Sequence, residues 1–114
     1  MTVPVLTERE RETLLRVLAP FAERIESIGL FGSRATGRAR PDSDIDLVIY
    51  GDLDAKSERR LWTMFDETDL SVSVDPVAYS RIKNSLLREH IDSVGVQLFT
   101  QEDLKRERNL RAHQ

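Results

Sequence analysis

Apolar residues return at helical spacing near the start of the chain, at Leu14, Leu15, Leu18 and Phe21 with Ala22. That period buries one face of a helix. Thr7 followed by Glu10 is a capping-box pair, so the helix is predicted to open there. Pro20 crowds the preceding turn and should kink or restart it. The period then shortens. Ile25 to Phe31 reads as a buried strand ending at Gly32-Ser33, followed by the small stretch Ala35-Thr36-Gly37 and the polar turn Arg40-Pro41-Asp42-Ser43. Asp44 to Tyr50 is a second, β-branched strand closed by Gly51-Asp52. With Asp54 as N-cap, Leu61, Met64 and Phe65 mark a second helix. Leu70 to Asp75 alternates apolar and polar residues and is predicted to be a strand ended by Pro76. Tyr79, Ile82, Leu86, Leu87 and Ile91 mark a third helix, with Gly95 at its C-cap region. Val96 to Phe99 is the last strand, and Thr100 caps a charged helix whose large apolar residues are Leu104 and Leu110. Helices alternating with strands predict an α/β or α+β sandwich, a small mixed sheet packed with helices.

The 114 residues, with no repeat and no low-complexity linker, are expected to form one domain spanning 1–114. At 32% charged and 39% hydrophobic residues the chain is globular, not disordered. A net charge of −3 speaks against direct nucleic-acid binding, because phosphate-tracking proteins carry a basic excess. Cysteine is absent, which excludes disulfides, thiolate nucleophiles and cysteine-ligated metals. His90 and His113 are the only histidines, too few for a zinc site of several imidazoles. No apolar run approaches the roughly 20 residues of a membrane span. Met1 to Leu6 runs straight into charge, unlike a signal peptide, so a cytoplasmic chain is expected.

The candidate chemistry lies in Gly32-Ser33, Asp44-x-Asp46 and Asp75. Asp44 and Asp46, two apart on a predicted strand, leave the same face. Paired carboxylates repel and are costly to bury, and a hard divalent cation relieves both penalties. Asp75 ends another predicted strand and joins them if the two strands are neighbours. Three carboxylates could hold two ions about 3.5–4 Å apart, the arrangement used for in-line displacement at phosphorus. Gly32 permits close backbone approach, and Ser33 offers a hydroxyl and an N–H at what reads as a strand-to-helix turn suited to triphosphate oxygens. Arg34, Arg38 and Arg40 are near enough in sequence to neutralise phosphate. Taken singly, Gly32-Ser33 is a turn with a plain N-cap and each Asp a solvated edge residue; spacing and order together favour a site. Other motifs fail. Asp42, Asp44 and Asp46 begin like a calcium loop, but Leu47 and Leu53 stand where it needs Gly and Glu. No Gly-Lys-Ser/Thr P-loop exists, and the glycines miss dinucleotide-fingerprint spacing. Ser33 as a covalent nucleophile lacks a local base. His90 reads as a helix-surface or interface residue, and Trp62, Met64 and Phe65 as core or subunit interface.

Gly32-Ser33-Arg34-Ala35-Thr36-Gly37 followed by Ser43-Asp44-Ile45-Asp46-Leu47 resembles the signature of minimal nucleotidyltransferases (MNT) of the DNA polymerase β superfamily, among them MntA-like antitoxins of HEPN/MNT pairs. The order of helices and strands is similar over nearly the whole chain. The resemblance implies a polymerase β-like nucleotidyltransferase fold. It implies that Gly32, Ser33 and Arg34 bind the nucleotide, while Asp44, Asp46 and Asp75 are catalytic and hold two Mg²⁺ ions, or Mn²⁺. Thr36 stands where many members carry Arg, which leaves one phosphate contact fewer or Arg34 in its place. The activity implied is transfer of a nucleoside monophosphate, AMP from ATP foremost, to a hydroxyl acceptor. By the same resemblance the partner is a HEPN-domain toxin and the acceptor one of its tyrosines. A purely binding antitoxin and a small-molecule-modifying nucleotidyltransferase are the alternatives. The latter adds a second domain to hold its acceptor, for which 114 residues leave no room. The sparse C-terminal helix suits docking to a partner, and a homo-oligomer is compatible with the sequence.

Overall fold

The computed structural model describes residues 5–38 and 40–112; Met1 to Pro4, Ala39, His113 and Gln114 lie outside them. Helix α1 (Glu8–Leu18) begins at the predicted capping box: Thr7 Oγ1 accepts the Glu10 N–H at 3.0 Å, and Glu10 Oε1 accepts the Thr7 N–H at 2.9 Å. Pro20 then sits in a 3₁₀ segment, Ala19–Arg24, where its ring is tolerated near the start. Strands β1 (Ile25–Phe31) and β2 (Ile45–Gly51) flank the turn-rich segment that holds Gly32 and Ser33. Helix α2 (Ala55–Asp66) starts at Asp54, whose carboxylate accepts the Ser57 N–H. Strand β3 (Val74–Ala78), a short 3₁₀ turn (Tyr79–Arg81), helix α3 (Ser85–Val94), strand β4 (Val96–Thr100) and helix α4 (Gln101–Ala112) complete the chain. None of the described helices is long and apolar enough to cross a membrane.

The four strands form one mixed sheet in the order β3-β2-β1-β4, with β2 and β3 parallel and the other pairs antiparallel. Ile28 and Leu30, then Ile45, Leu47 and Ile49, then Val74 and Ala78, project to one face. There they pack with Leu14 and Leu18 of α1, Leu61 and Phe65 of α2, and Leu104 of α4. Each such fully buried side chain contributes about 1.5–3 kcal/mol relative to exposure. The opposite face is thinner. Phe31 and Val48 meet Ile91 of α3 there, with Tyr50, Val77 and Leu87 at the margin.

Two predicted elements differ. The alternation from Leu70 to Asp75 does not form a strand; β3 begins at Val74 and runs through Pro76. Edge position explains this, since a proline's missing N–H can face away from the single neighbouring strand. The predicted third helix is also split. Tyr79–Arg81 is a 3₁₀ turn, and the helix proper opens at Asn84, whose side chain caps the N–H groups of Leu86 and Leu87.

A buried ion pair holds the β1–β2 connection against α1. The Arg34 guanidinium donates to both Glu10 oxygens at 2.8 and 2.9 Å, and both side chains are almost wholly buried. It also donates twice to the Ser43 carbonyl and once to that of Val5, so all five of its N–H groups are engaged. Burial alone would raise the Glu10 pKa, but the hydrogen bonds from Arg34 and Thr7 and the Arg34 charge outweigh it, leaving the carboxyl below its ordinary 4.5. Arg34→Ala should cost about 3–5 kcal/mol in urea unfolding, because it strands a buried carboxylate. The Glu10→Ala/Arg34→Ala double variant should lose less than the sum of the two singles. A folded-state pKa held below the unfolded one makes the pair's contribution complete above pH 4.5 and fading as pH falls below it. Unfolding curves at stepped pH should show that loss in wild type and not in Glu10→Gln.

Candidate functional site

The register of the sheet assembles the site. Phe31 pairs with Asp46 across the antiparallel β1–β2 ladder, and Asp46 pairs with Asp75 across the parallel β2–β3 ladder. Cross-strand partners share a face, so Phe31, Asp46 and Asp75 form one row on the thin side of the sheet. Neighbouring strands lie about 4.8 Å apart, which places the two carboxylates side by side. Asp44 is exposed and immediately precedes β2. The order along the row is carboxylate, carboxylate, aromatic ring.

Repulsion marks the cluster. Burial raises the Asp46 pKa, and the charges of Asp75 and Asp44 raise it further against a smaller opposing effect of His90. Asp75 is raised by burial and by the charges of Asp44 and of Asp66 at the end of α2. Such a set favours a proton or a cation, and its all-oxygen donors suit Mg²⁺ or Mn²⁺. Among the described residues, however, no three carboxylates or histidines converge as a ready-made cage for an ion. Asp46 and Asp75 are adjacent, while Asp44 stands at the solvent edge.

Gly32 and Ser33 directly follow Phe31. Gly32 has φ +79°, and a Cβ built there would lie 2.2 Å from Asp46 Oδ2. Only glycine combines that left-handed backbone with such close approach. The strand-to-helix turn predicted from the sequence is absent. Residues 32–37 form a chain of tight turns, with Ala35 donating to the Gly32 carbonyl and Thr36 and Arg38 to that of Ser33. The segment lacks a periodic apolar face to nucleate a helix. Among the described residues, the backbone N–H groups of Ser33 and Arg34 have no protein acceptor. Successive free N–H groups in a turn form a concavity suited to anions, so the turn itself can serve where a helix end was expected.

The sequence reading gives Arg34 to the nucleotide; in the structure its side chain is committed elsewhere, and its backbone N–H is the group left free. All five side-chain donors are spent on Glu10, Ser43 and Val5, which leaves none for phosphate. Arg38 and Arg40 are exposed on the same connection. His90, read from the sequence as a surface or interface residue, lies on α3 with its ring edge-on to Phe31 at 6.5 Å. No local motif signals that placement; it needs the packing of α3 on the sheet.

The family model described as Polymerase beta, Nucleotidyltransferase matches residues 12–104, most of the chain. No curated protein matches it in sequence. Solved structures share the fold at low identity. A chain of a toxin–antitoxin complex with AMP-PNP superposes with TM-score 0.64 at 23% identity, covering 90% of this chain and 87% of that one. The MntA-HepT toxin–antitoxin gives 0.59 at 20%, covering 94% and 88%. A complex of tri-AMPylated HEPN toxin with MNT antitoxin from Shewanella oneidensis gives 0.58 at 21%, covering 94% and 88%.

Gly32→Ala should lower stability by about 1–2 kcal/mol from the left-handed backbone alone, with a further loss from the contact with Asp46. Adding Asp46→Ala should recover the contact part and leave the backbone part. Chemical unfolding of the single and double variants would separate the two, and full additivity would show that the Cβ does not meet Asp46.

Proposed function

Since the chain belongs to the polymerase beta nucleotidyltransferase family, we propose that it moves AMP from ATP to a hydroxyl side chain of a HEPN-type toxin, foremost a tyrosine, and so acts as its antitoxin. The observation that carries this reading is the Asp46–Asp75 pair locked in register beside the Gly32-Ser33 turn. Support for the donor and the partner comes from the solved relatives, one with AMP-PNP and one a tri-AMPylated HEPN toxin with its antitoxin. Their low identity makes them evidence of fold, and the chemistry is argued from the residues here.

Polymerase beta-type nucleotidyltransferases generally use divalent metals. Asp46 and Asp75, with Asp44 completing the set from the solvent edge, would hold Mg²⁺ or Mn²⁺, which neutralises phosphate charge and lowers the barrier to displacement at phosphorus. The Gly32-Ser33 turn receives the β- and γ-phosphates on its free N–H groups and the Ser33 hydroxyl. The acceptor hydroxyl attacks the α-phosphorus in line, its O–P bond forming as the bond to the bridging oxygen breaks and pyrophosphate leaves. Asp75, on the edge strand, is the carboxylate placed to receive the hydroxyl proton. The acceptor hydroxyl arrives on the partner.

Incubation with ATP, Mg²⁺ and the HEPN-type partner should add one or more AMP masses to the partner by intact-mass spectrometry. Asp44→Asn/Asp46→Asn should abolish the shift and leave the complex intact on gel filtration. Neutralisation with no mass shift, even by wild type, would overturn the enzymatic reading in favour of a binding antitoxin. Ser33→Ala should slow transfer by about 10- to 150-fold, the loss of one hydrogen bond to a charged group.

A separate test isolates the cation. Without divalent ions Asp46→Asn should be more stable than wild type, because it removes like-charge repulsion. Millimolar Mg²⁺ should raise the melting temperature of wild type and not of Asp46→Asn/Asp75→Asn. Equal shifts in both proteins would place the ion elsewhere.

A further inference from the structure

The site is rich in negative charge and poor in positive. Asp46 and Asp75 lie side by side, Asp66 and Asp44 add to the field at Asp75, and Arg34 is wholly engaged with Glu10, Ser43 and Val5. A bound triphosphate brings more anion still, so beside the turn N–H groups and the exposed Arg38 and Arg40 a further donor is favourable. His90 is the candidate that the fold delivers. On α3, Ile91 is buried against the sheet and Leu87 half-buried, which turns His90, one residue away from Ile91, to the flank of that contact face. Its ring meets the Phe31 ring edge-on at 6.5 Å, with planes 81° apart. Phe31 is the register partner of Asp46 and the residue before Gly32. Three independent elements therefore converge: the β1 end with its glycine turn, the β2 carboxylate, and the α3 imidazole.

The imidazole is also uncommitted. The side-chain hydrogen bonds of α3 and its cap run through Asn84 and Asp92, and His90 takes part in none among the described residues. It is exposed, so a ligand can reach it.

We infer that His90 is a nucleotide-contacting residue, donating an imidazole N–H to the triphosphate held at the Gly32-Ser33 turn, in the role the sequence suggested for Arg34. The inference rests on the nucleotidyl-transfer reading above and names a further residue of that same site. It assigns α3 a second task beyond covering the sheet: contacting the phosphate end of the site.

Calorimetric titration of the full chain with ATP and with adenosine, each in Mg²⁺, tests this. His90→Ala should weaken ATP binding about ten- to hundredfold, the loss of one hydrogen bond to a charged group. It should leave adenosine binding and the melting temperature unchanged. His90→Gln, which keeps an N–H donor, should recover most of the ATP affinity. Wild type that binds no nucleoside triphosphate overturns the transfer reading, and this inference with it. Wild type that binds ATP with His90→Ala binding equally well overturns the inference alone. Equal weakening toward adenosine places the contact on the base or sugar and overturns the phosphate assignment. A large fall in melting temperature, not rescued by Gln, makes His90 a packing residue and overturns it too.

Discussion

The Arg34–Glu10 pair is the constraint on which the site depends. The segment from Gly32 to Arg38 has no regular structure, and three backbone hydrogen bonds give it shape but not position. Position comes from one guanidinium reaching three places at once: the N-terminal turn of α1, the Ser43 carbonyl just ahead of β2, and the Val5 carbonyl. Desolvating both charges costs several kcal/mol per ion before any gain, so the pair adds little net stability over an apolar substitute. What it supplies is a single arrangement. Arg34 neighbours Ser33, and fixing one fixes the other. Glu10 serves twice, capping α1 at Thr7 and receiving the guanidinium, so the helix cap and the loop are positioned by the same carboxylate.

The sheet supplies the second half of the geometry. Antiparallel pairing brings Phe31 to Asp46, and parallel pairing brings Asp46 to Asp75, so three strands contribute one residue each to a row. A one-residue slip of β2 would turn Asp46 into the core and Ile45 outward, which the apolar face opposed by α1, α2 and α4 forbids. The large core on one face therefore holds the repelling carboxylates on the other. Raised pKa values at Asp46 and Asp75 are the visible cost of that placement.

What could be read in the sequence follows from the range of each interaction. Thr7 with Glu10, Asp54 with Ser57 and Thr100 with Asp103 are caps made within three residues, so the helix starts were legible. The face taken by Asp46 is strand alternation, also local, whereas Asp44 falls just ahead of β2. Asp75 was reachable as the polar residue at a strand, though β3 lies mostly beyond it and not before it. The alternation of Leu70 and Val72 misled because apolar residues in a loop can also pack on a core, and both do so here. Arg34 and His90 were not legible in their actual settings. The first finds its partner 24 residues away, and the second meets a ring 59 positions earlier in the chain through the packing of a helix on a sheet. Motif spacing placed Arg34 beside phosphates because it carries no information on what else a guanidinium can reach.

Under the proposed function, the unequal covering of the two sheet faces puts chemistry and partner on the same side. Helices α1, α2 and α4 pack the large apolar core against one face. On the other, only α3 and the turn before it cover the strands, and their cluster stops at Phe31, Val48 and Ile91. Beyond it the row of carboxylates meets solvent at the end of the sheet. A partner's side chain can approach an end like that without displacing any packed element, whereas entry through the helical face would cost the core itself. The exposure of Leu86, 73% at the first turn of α3, lies on this same side. In the proposed reaction, an acceptor carried by another protein would approach along α3 toward the edge strand that carries Asp75. A small domain can work this way because it leaves one face of its sheet unfinished.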